Sequence, residues 1–220
     1  MGDSLNRPFC LEDSMEIKQV VLEGKHVRLV PLSMDYFDQL CEAGLHANLW
    51  QFNPTFVRTR EDMLSYVQTA LKLREDGLAL PFVTIEKSSN TLVGSTRFGN
   101  IDRANKRLEI GWTWVVPQWQ RTFVNTEAKY LMLKHAFEVL GCVRVEFKTD
   151  SLNMKSRTAL KGIGAKEEGV FRNHMIMPDG RLRHSVYFSI IDSEWESVSK
   201  NLELRLERNS RSGDASGQRK

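Results

Sequence analysis

Residues 110–140, IGWTWVVPQWQRTFVNTEAKYLMLKHAFEVL, decide how the rest of the chain is read. Residues 107–116 are rich in aromatic and β-branched side chains and predict a strand. Pro117 ends it, because proline has no N–H to give to a ladder. A short polar run, 118–125, leads to a helix whose apolar residues Ala128, Leu131, Met132, Ala136, Val139 and Leu140 recur at helical spacing. Gly141 stands where a helix end favours a residue that tolerates the left-handed conformation. A strand, a tight loop and a helix N-terminus in succession gather unpaired N–H groups at the positive end of a helix dipole. A phosphate-bearing ligand is expected at that junction.

On the N-terminal side, 80–86, 91–98 and 107–116 are β-rich runs joined by short polar turns, the pattern of an antiparallel meander. On the C-terminal side, 143–149 alternates Val143, Val145 and Phe147 against Arg144, Glu146 and Lys148. A strand that follows a helix that follows a strand implies parallel pairing through a crossover. Asn153 opens a short helix ending at Gly162 and Gly164, and 166–177 with 184–191 read as a hairpin around Pro178-Asp179-Gly180. Further upstream, Val27 and Leu29 mark a first strand. Ser33 is the expected N-cap of a helix 34–43 closed by Gly44. Thr59 with Asp62 opens a helix 60–74 carrying Met63, Leu64, Val67, Ala70 and Leu71 on one face. The intervening loop, 45–59, sets Trp50, Phe52 and Phe56 around Pro54. Three aromatics in one loop are either core plugs or the wall of a substrate pocket.

The 220 residues suit one domain with a well-buried core. A composition 41% hydrophobic and 27% charged is that of a folded globular chain. Expected boundaries are a flexible arm at 1–16, the domain at 17–207 and a flexible basic tail at 208–220. No apolar run approaches a membrane span, and 1–18 lacks a signal core, so a cytoplasmic location is expected and a membrane partner is not. Cys10, Cys41 and Cys142 are far apart, and the histidines lack ligand spacing, so neither a disulfide framework nor a metal is expected. Residues 209–220 hold Arg211, Arg219 and Lys220 against Asp214, which accounts for +2 of the net charge of +3. The nearly neutral body does not predict nucleic-acid binding.

Gly111-Trp112, Pro117, Trp119 and Thr126-Glu127-Ala128 resemble the central motif of the GCN5-related N-acetyltransferases. More narrowly they resemble the branch holding the ribosomal-protein alanine acetyltransferases. Asn153…Ser156…Leu160-x-Gly162 and RLRHSVYFSIIDSEW at 181–195 extend the resemblance over about 20–207. It implies an α+β fold: a mixed, mostly antiparallel central sheet, splayed at an acetyl-CoA site and flanked by helices. It also implies acetyl-CoA as co-substrate, direct transfer to a primary amine (a protein N-terminus or a small molecule) in a ternary complex, and a possible homodimer. The pantetheine arm would pair with the backbone of Trp114, Val115 and Val116. The pyrophosphate would sit on Gln120, Arg121, Thr122, Phe123, Val124 and Asn125, with Thr126 at the helix start. Asn153 and Ser156 would face the cofactor, with Ser156 or a water relay protonating the departing thiolate. Glu109 would act as base or orient the amine, lining the acceptor pocket with Trp50, Phe52 and Phe56.

The loop departs from the family pattern, which usually has glycine or alanine where Arg121, Phe123 and Asn125 stand. Ordinary backbone angles are therefore expected in the loop, with Arg121 adding positive charge beside the phosphates. The alternative reading is a catalytically degenerate module that binds an acyl-CoA or a small ligand.

Overall fold

A computed structural model describes residues 15–217. Strands β1 (Leu22–Glu23) and β2 (Val27–Pro31) precede helices α1 (Phe37–Gly44) and α2 (Arg60–Glu75). The meander β3 (Leu80–Glu86), β4 (Thr91–Asp102) and β5 (Arg107–Val115) leads to α3 (Phe123–Lys134). Strand β6 (Arg144–Asp150), α4 (Met154–Gly162), the hairpin β7 (Lys166–Ile176) and β8 (Leu182–Ile191), and α5 (Asp192–Gly217) complete the described residues. The eight strands form one sheet in the order β1-β2-β3-β4-β5-β6-β8-β7. Every neighbouring pair is antiparallel except β5 and β6, which run parallel because α3 crosses over between them. The fold is α+β, as the resemblance implied.

Both sheet faces are covered, so β3 is buried at every position. On one face Phe82, Phe98, Leu108, Ile110, Phe147 and Phe188 pack beneath α3 and α5. On the other, Val83, Val93, Trp114 and Trp50 pack with Leu40 of α1 and Met63 and Val67 of α2. Fully burying one such side chain contributes about 1.5–3 kcal/mol.

α2 starts as its sequence predicts. The Thr59 hydroxyl accepts from the Asp62 N–H, and the Asp62 carboxylate accepts in return from the Thr59 N–H. At α1 the expectation fails. The Ser33 hydroxyl donates to Asp35 instead of capping, residues Met34–Tyr36 form a single 3-10 turn, and Gly44 lies inside the last helical turn. A Cβ at Gly44 would meet Met63 Cε at 2.6 Å, so the flexible end of that methionine would have to shift to admit one. The helix 123–140 also changes pitch, because His135–Val139 form a π turn. That wider turn rotates Val139 outward to 68% exposure, away from the apolar face on which helical spacing put it. Gly141 then closes the segment at φ +64°.

Met15, within the stretch expected as an arm, is 3% exposed and packs in the core; residues 1–14 lie outside the described range. At the other end the backbone of α5 stays helical through Gly217, into the expected tail. Extending an existing helix costs far less than starting one.

Candidate active site

The sheet forks. Strands β5 and β6 pair only from Arg107 to Glu109 against Arg144 to Glu146, and beyond Glu109 the β6 ladder continues with β8 alone. The β6-facing side of β5 past that point therefore has no strand across from it. Within β5 the pairing to β4 slips: Ser95 lies opposite Trp114 and Arg97 opposite Gly111, so β5 holds one extra residue. Trp112 takes it up at φ +50°, and a β-bulge results. Gly94 permits the bulge, because a Cβ there would come within 2.3 Å of the Trp114 carbonyl oxygen.

Glu109 is the last paired residue before the fork. Its carboxylate is buried, accepts from Asn100 Nδ2 at 2.6 Å and pairs with Lys148 Nζ at 3.0 Å. Burial raises its pKa above the ordinary glutamate value, and Lys148 opposes that shift. Gly111 leaves room for this carboxylate, since a Cβ at 111 would stand 2.8 Å from Glu109 Oε1.

The phosphate loop is tighter than the sequence suggests. Pro117–Trp119 form a 3-10 turn, and α3 starts at Phe123, so Phe123, Val124 and Asn125 are its first turn. The Gln120 N–H returns to the Pro117 carbonyl at 3.2 Å. The Thr122 hydroxyl accepts from the Val124 N–H and donates to the Trp119 carbonyl. The N–H groups of Phe123 and Asn125 belong to the first turn and have no acceptor within the helix. Val124 and Thr126 are buried, so their side chains seat α3, while Arg121 is exposed. The expectation of ordinary backbone angles fails at Arg121, which adopts φ +61°. The loop thus keeps a left-handed residue without a glycine, at a cost of about 1–2 kcal/mol.

Of the three residues expected to pair with an extended arm, Val115 presents its carbonyl to the open edge, where Gln120 Nε2 donates to it at 2.9 Å. The Val116 N–H instead donates back to Val93 O at 2.9 Å, so it is turned away from the fork. The Trp114 indole is buried among the α1 and α2 side chains, and its Nε1 has no partner among the described residues. Asn153 caps α4, its Oδ1 accepting from the Ser156 N–H at 3.0 Å, with Ser156 half-buried. An open strand edge leading to a capped helix N-terminus fits a ligand with phosphate at one end and an extended amide-bearing arm.

Trp50 packs in the core. It is 1% exposed, donates from Nε1 to the Gly44 carbonyl at 2.8 Å, and packs edge-on to Tyr66. Phe52 and Phe56 are half-buried. The Phe52 carbonyl accepts from Arg183 Nη1, which ties the α1–α2 loop to β8. Phe56 lines a hollow of about 190 Å³ with Tyr66, Arg97 and Trp112. A larger hollow of about 920 Å³ lies at the β7–β8 hairpin, between Phe171, His174 and His184.

Several residues were missed by sequence reasoning. Asn100 and Lys148 hold Glu109, and Arg97 and Tyr66 build the smaller hollow. Lys129, beside the α3 apolar stripe, is buried under β5 with Nζ 2.7 Å from Thr113 Oγ1. Burial lowers its pKa to about 7, with Glu109 pulling weakly the other way. Lys148 was visible as the charge alternating with Val145 and Phe147; Arg97 and Lys129 left no signal beyond a cation within an apolar run. Both described cysteines are buried, and burial pushes the Cys142 thiol up to about 12, which removes it as a nucleophile.

Among the described residues no helix is long and apolar enough to cross a membrane, and no group of three or more His, Cys, Asp or Glu could hold a metal ion. The family model for the acetyltransferase (GNAT) domain matches residues 26–166. An uncharacterised N-acetyltransferase, p20, of Bacillus licheniformis is 27% identical over 180 residues, covering 79% of this chain and 97% of the relative. The crystal structure of a GCN5-related N-acetyltransferase from Brucella melitensis superposes with a TM-score of 0.80 at 31% identity over 86% of each chain. A ribosomal-protein-S5-alanine acetyltransferase from Vibrio fischeri shares the fold at 18% identity, with a TM-score of 0.67 over 80% of this chain and 98% of that one. The chain belongs to the GNAT acetyltransferases.

Proposed function

We propose that this protein transfers an acetyl group from acetyl-CoA to a primary amine, directly and within a ternary complex. The observation that carries the reading is the position of Glu109: a buried carboxylate at the fork of β5 and β6, three residues before the bulge at Trp112 and held by Asn100 and Lys148. The thioester supplies an acyl carbon already activated toward an amine. Glu109 takes the proton that the amine must lose to attack, and its raised pKa suits it to that role. The C–N bond forms as the C–S bond breaks, and backbone N–H groups on the open side of β5 stabilise the developing oxyanion. Ser156, alone or through water, returns a proton to the thiolate. The loop at Arg121 to Asn125 and the α3 N-terminus hold the phosphates, with Arg121 adding charge. The left-handed turn at Arg121 supports a working loop over a degenerate one.

Calorimetric titration with acetyl-CoA, followed by thiol release over a panel of primary amines, tests the reading. Micromolar binding with amine-dependent release is expected. Ligand-free protein that binds no acetyl-CoA would overturn it.

A further inference from the structure

Arg97 has a setting that the transfer reaction does not explain. It lies on β4, is only 3% exposed, and carries a permanent charge. Its guanidinium carbon stands 5.0 Å from the centre of the Tyr66 ring and 4.9 Å from the centre of the Trp112 ring. Among the described residues no carboxylate forms an ion pair with it. Flanked by two aromatic rings, the guanidinium has no hydrogen-bond acceptor among the described residues, and its N–H groups open onto the hollow that Arg97 lines. Those rings and Arg97 line the same hollow of about 190 Å³, with Phe56 and Thr69 beside them. Asp62 also borders the hollow, but its carboxylate is engaged by the backbone N–H groups of Arg58 and Thr59.

The register relates this hollow to the fork. Arg97 lies opposite Gly111 and Gly99 lies opposite Glu109, so the two charged residues are offset by two positions on neighbouring strands. Two strand positions are about 7 Å. Gly99 carries no side chain, and the Trp112 ring lies over it; a Cβ there would meet that ring at 2.4 Å. The Tyr66 hydroxyl reaches the Trp112 carbonyl at 3.4 Å, which joins the wall of the hollow to the bulge itself.

We propose that Arg97 anchors an anionic group of the acceptor, so that the amine this site takes is one that also carries a carboxylate. This rests on the transferase reading above. The carboxylate receives N–H bonds from the guanidinium, which Tyr66 and Trp112 hold in place. The amine is thereby set toward Glu109. Two sources present this chemistry: a free amino carboxylic acid, and a peptide N-terminus beside an acidic side chain.

The test compares initial rates at saturating acetyl-CoA for glycine, β-alanine, 4-aminobutyrate and 5-aminovalerate, each against its own amide. A second arm compares an alanyl-aspartyl dipeptide amide with its asparaginyl counterpart. In at least one pair the carboxylate should have a kcat/KM higher by about tenfold or more, mainly through KM, as expected for a charge-assisted hydrogen bond. The arm that shows the preference identifies the source. Arg97→Gln should collapse the ratio within that pair toward one, and Arg97→Lys should restore part of it. Because the ratio is internal to each variant, partial loss of folded protein does not alter it, and the wild-type pairs stand if a variant does not fold. Equal kcat/KM in every pair, or no turnover of any carboxylate by protein that binds acetyl-CoA, would overturn the anchor. Turnover of the amides alone would refute it and leave the transferase reading intact. Protein that binds no acetyl-CoA would remove both.

Discussion

Glu127 of α3 accepts a hydrogen bond from the backbone N–H of Lys25 at 2.5 Å, across 102 residues of chain. The same carboxylate accepts from the His26 N–H, at 3.1 Å for the nearer oxygen, and from the Val27 N–H at 3.1 Å. It thus closes the turn between β1 and β2 onto the helix that carries the phosphate loop. The Thr-Glu-Ala motif owes its glutamate to this tie, and the carboxylate takes no part in the proposed chemistry.

Glu127→Ala should destabilise the protein by about 3 kcal/mol or more, because it leaves N–H groups unpaired in and beside the core. Glu127→Gln should recover part of the loss. Chemical denaturation of the three proteins checks this; equal midpoints would refute it.

Arg121→Gly should raise stability by up to about 1 kcal/mol, as relief of the left-handed strain is partly offset by glycine's greater chain entropy. Acetyl-CoA affinity should fall severalfold, with a weaker dependence on salt, because a charge beside the phosphates is lost. Titration at two ionic strengths separates the two effects. An unchanged salt dependence would mean that Arg121 serves the turn and not the ligand.

Lys129 predicts a stability that rises with pH. Its folded-state pKa is about 7, against the ordinary lysine value of 10.5. Below pH 7 both folded and unfolded chains hold the proton, and the burial penalty is fully present. Between about pH 7 and 10.5 the unfolded chain holds more protons, so stability increases with pH. The gain attributable to this group is at most about 5 kcal/mol. Lys129→Met should stabilise the protein at pH 6 and flatten the rise toward pH 10. Paired unfolding curves at those two pH values measure it, and parallel pH dependences in the two proteins would rule it out.

Glu109→Gln should lower kcat by about a hundredfold or more, the scale of general-base catalysis, while leaving acetyl-CoA affinity within about twofold. In the wild type kcat/KM should rise with pH through a pKa above that of an ordinary glutamate, and the variant should lack that limb. Full activity in the variant would leave Glu109 a structural partner of Lys148 and no more.

The segment from strand to helix was legible because its punctuation is strong. Pro117 ends β5, Gly141 closes the helix, and Thr59 with Asp62 starts α2 as a reciprocal pair. What escaped depends on tertiary contacts or on backbone states that residue type does not announce. Arg121 and Trp112 adopt positive φ without being glycine, since the cap at Thr122 and the register around Gly94 outweigh their local preference. Trp50 reads as a loop aromatic, yet the cavity formed by Tyr66, Trp114 and Gly44 takes it into the core. Val139 follows helical spacing until the π turn shifts the phase. Arg97 and Lys129 are single cations in apolar elements, and only the folded sheet brings rings to one and threonine hydroxyls to the other.

The fork puts within the sheet something proteins usually keep at its rim: a strand side whose peptide groups face no neighbour. Such a side is adhesive toward any extended chain, its own kind included. Gln120 already stops one position by donating to Val115. A ligand arm laid along the rest would act as a missing strand, so filling the site would also shield the protein against self-association. Loss of the ligand would then register first as slow aggregation and fast amide exchange in β5, well before any loss of the core.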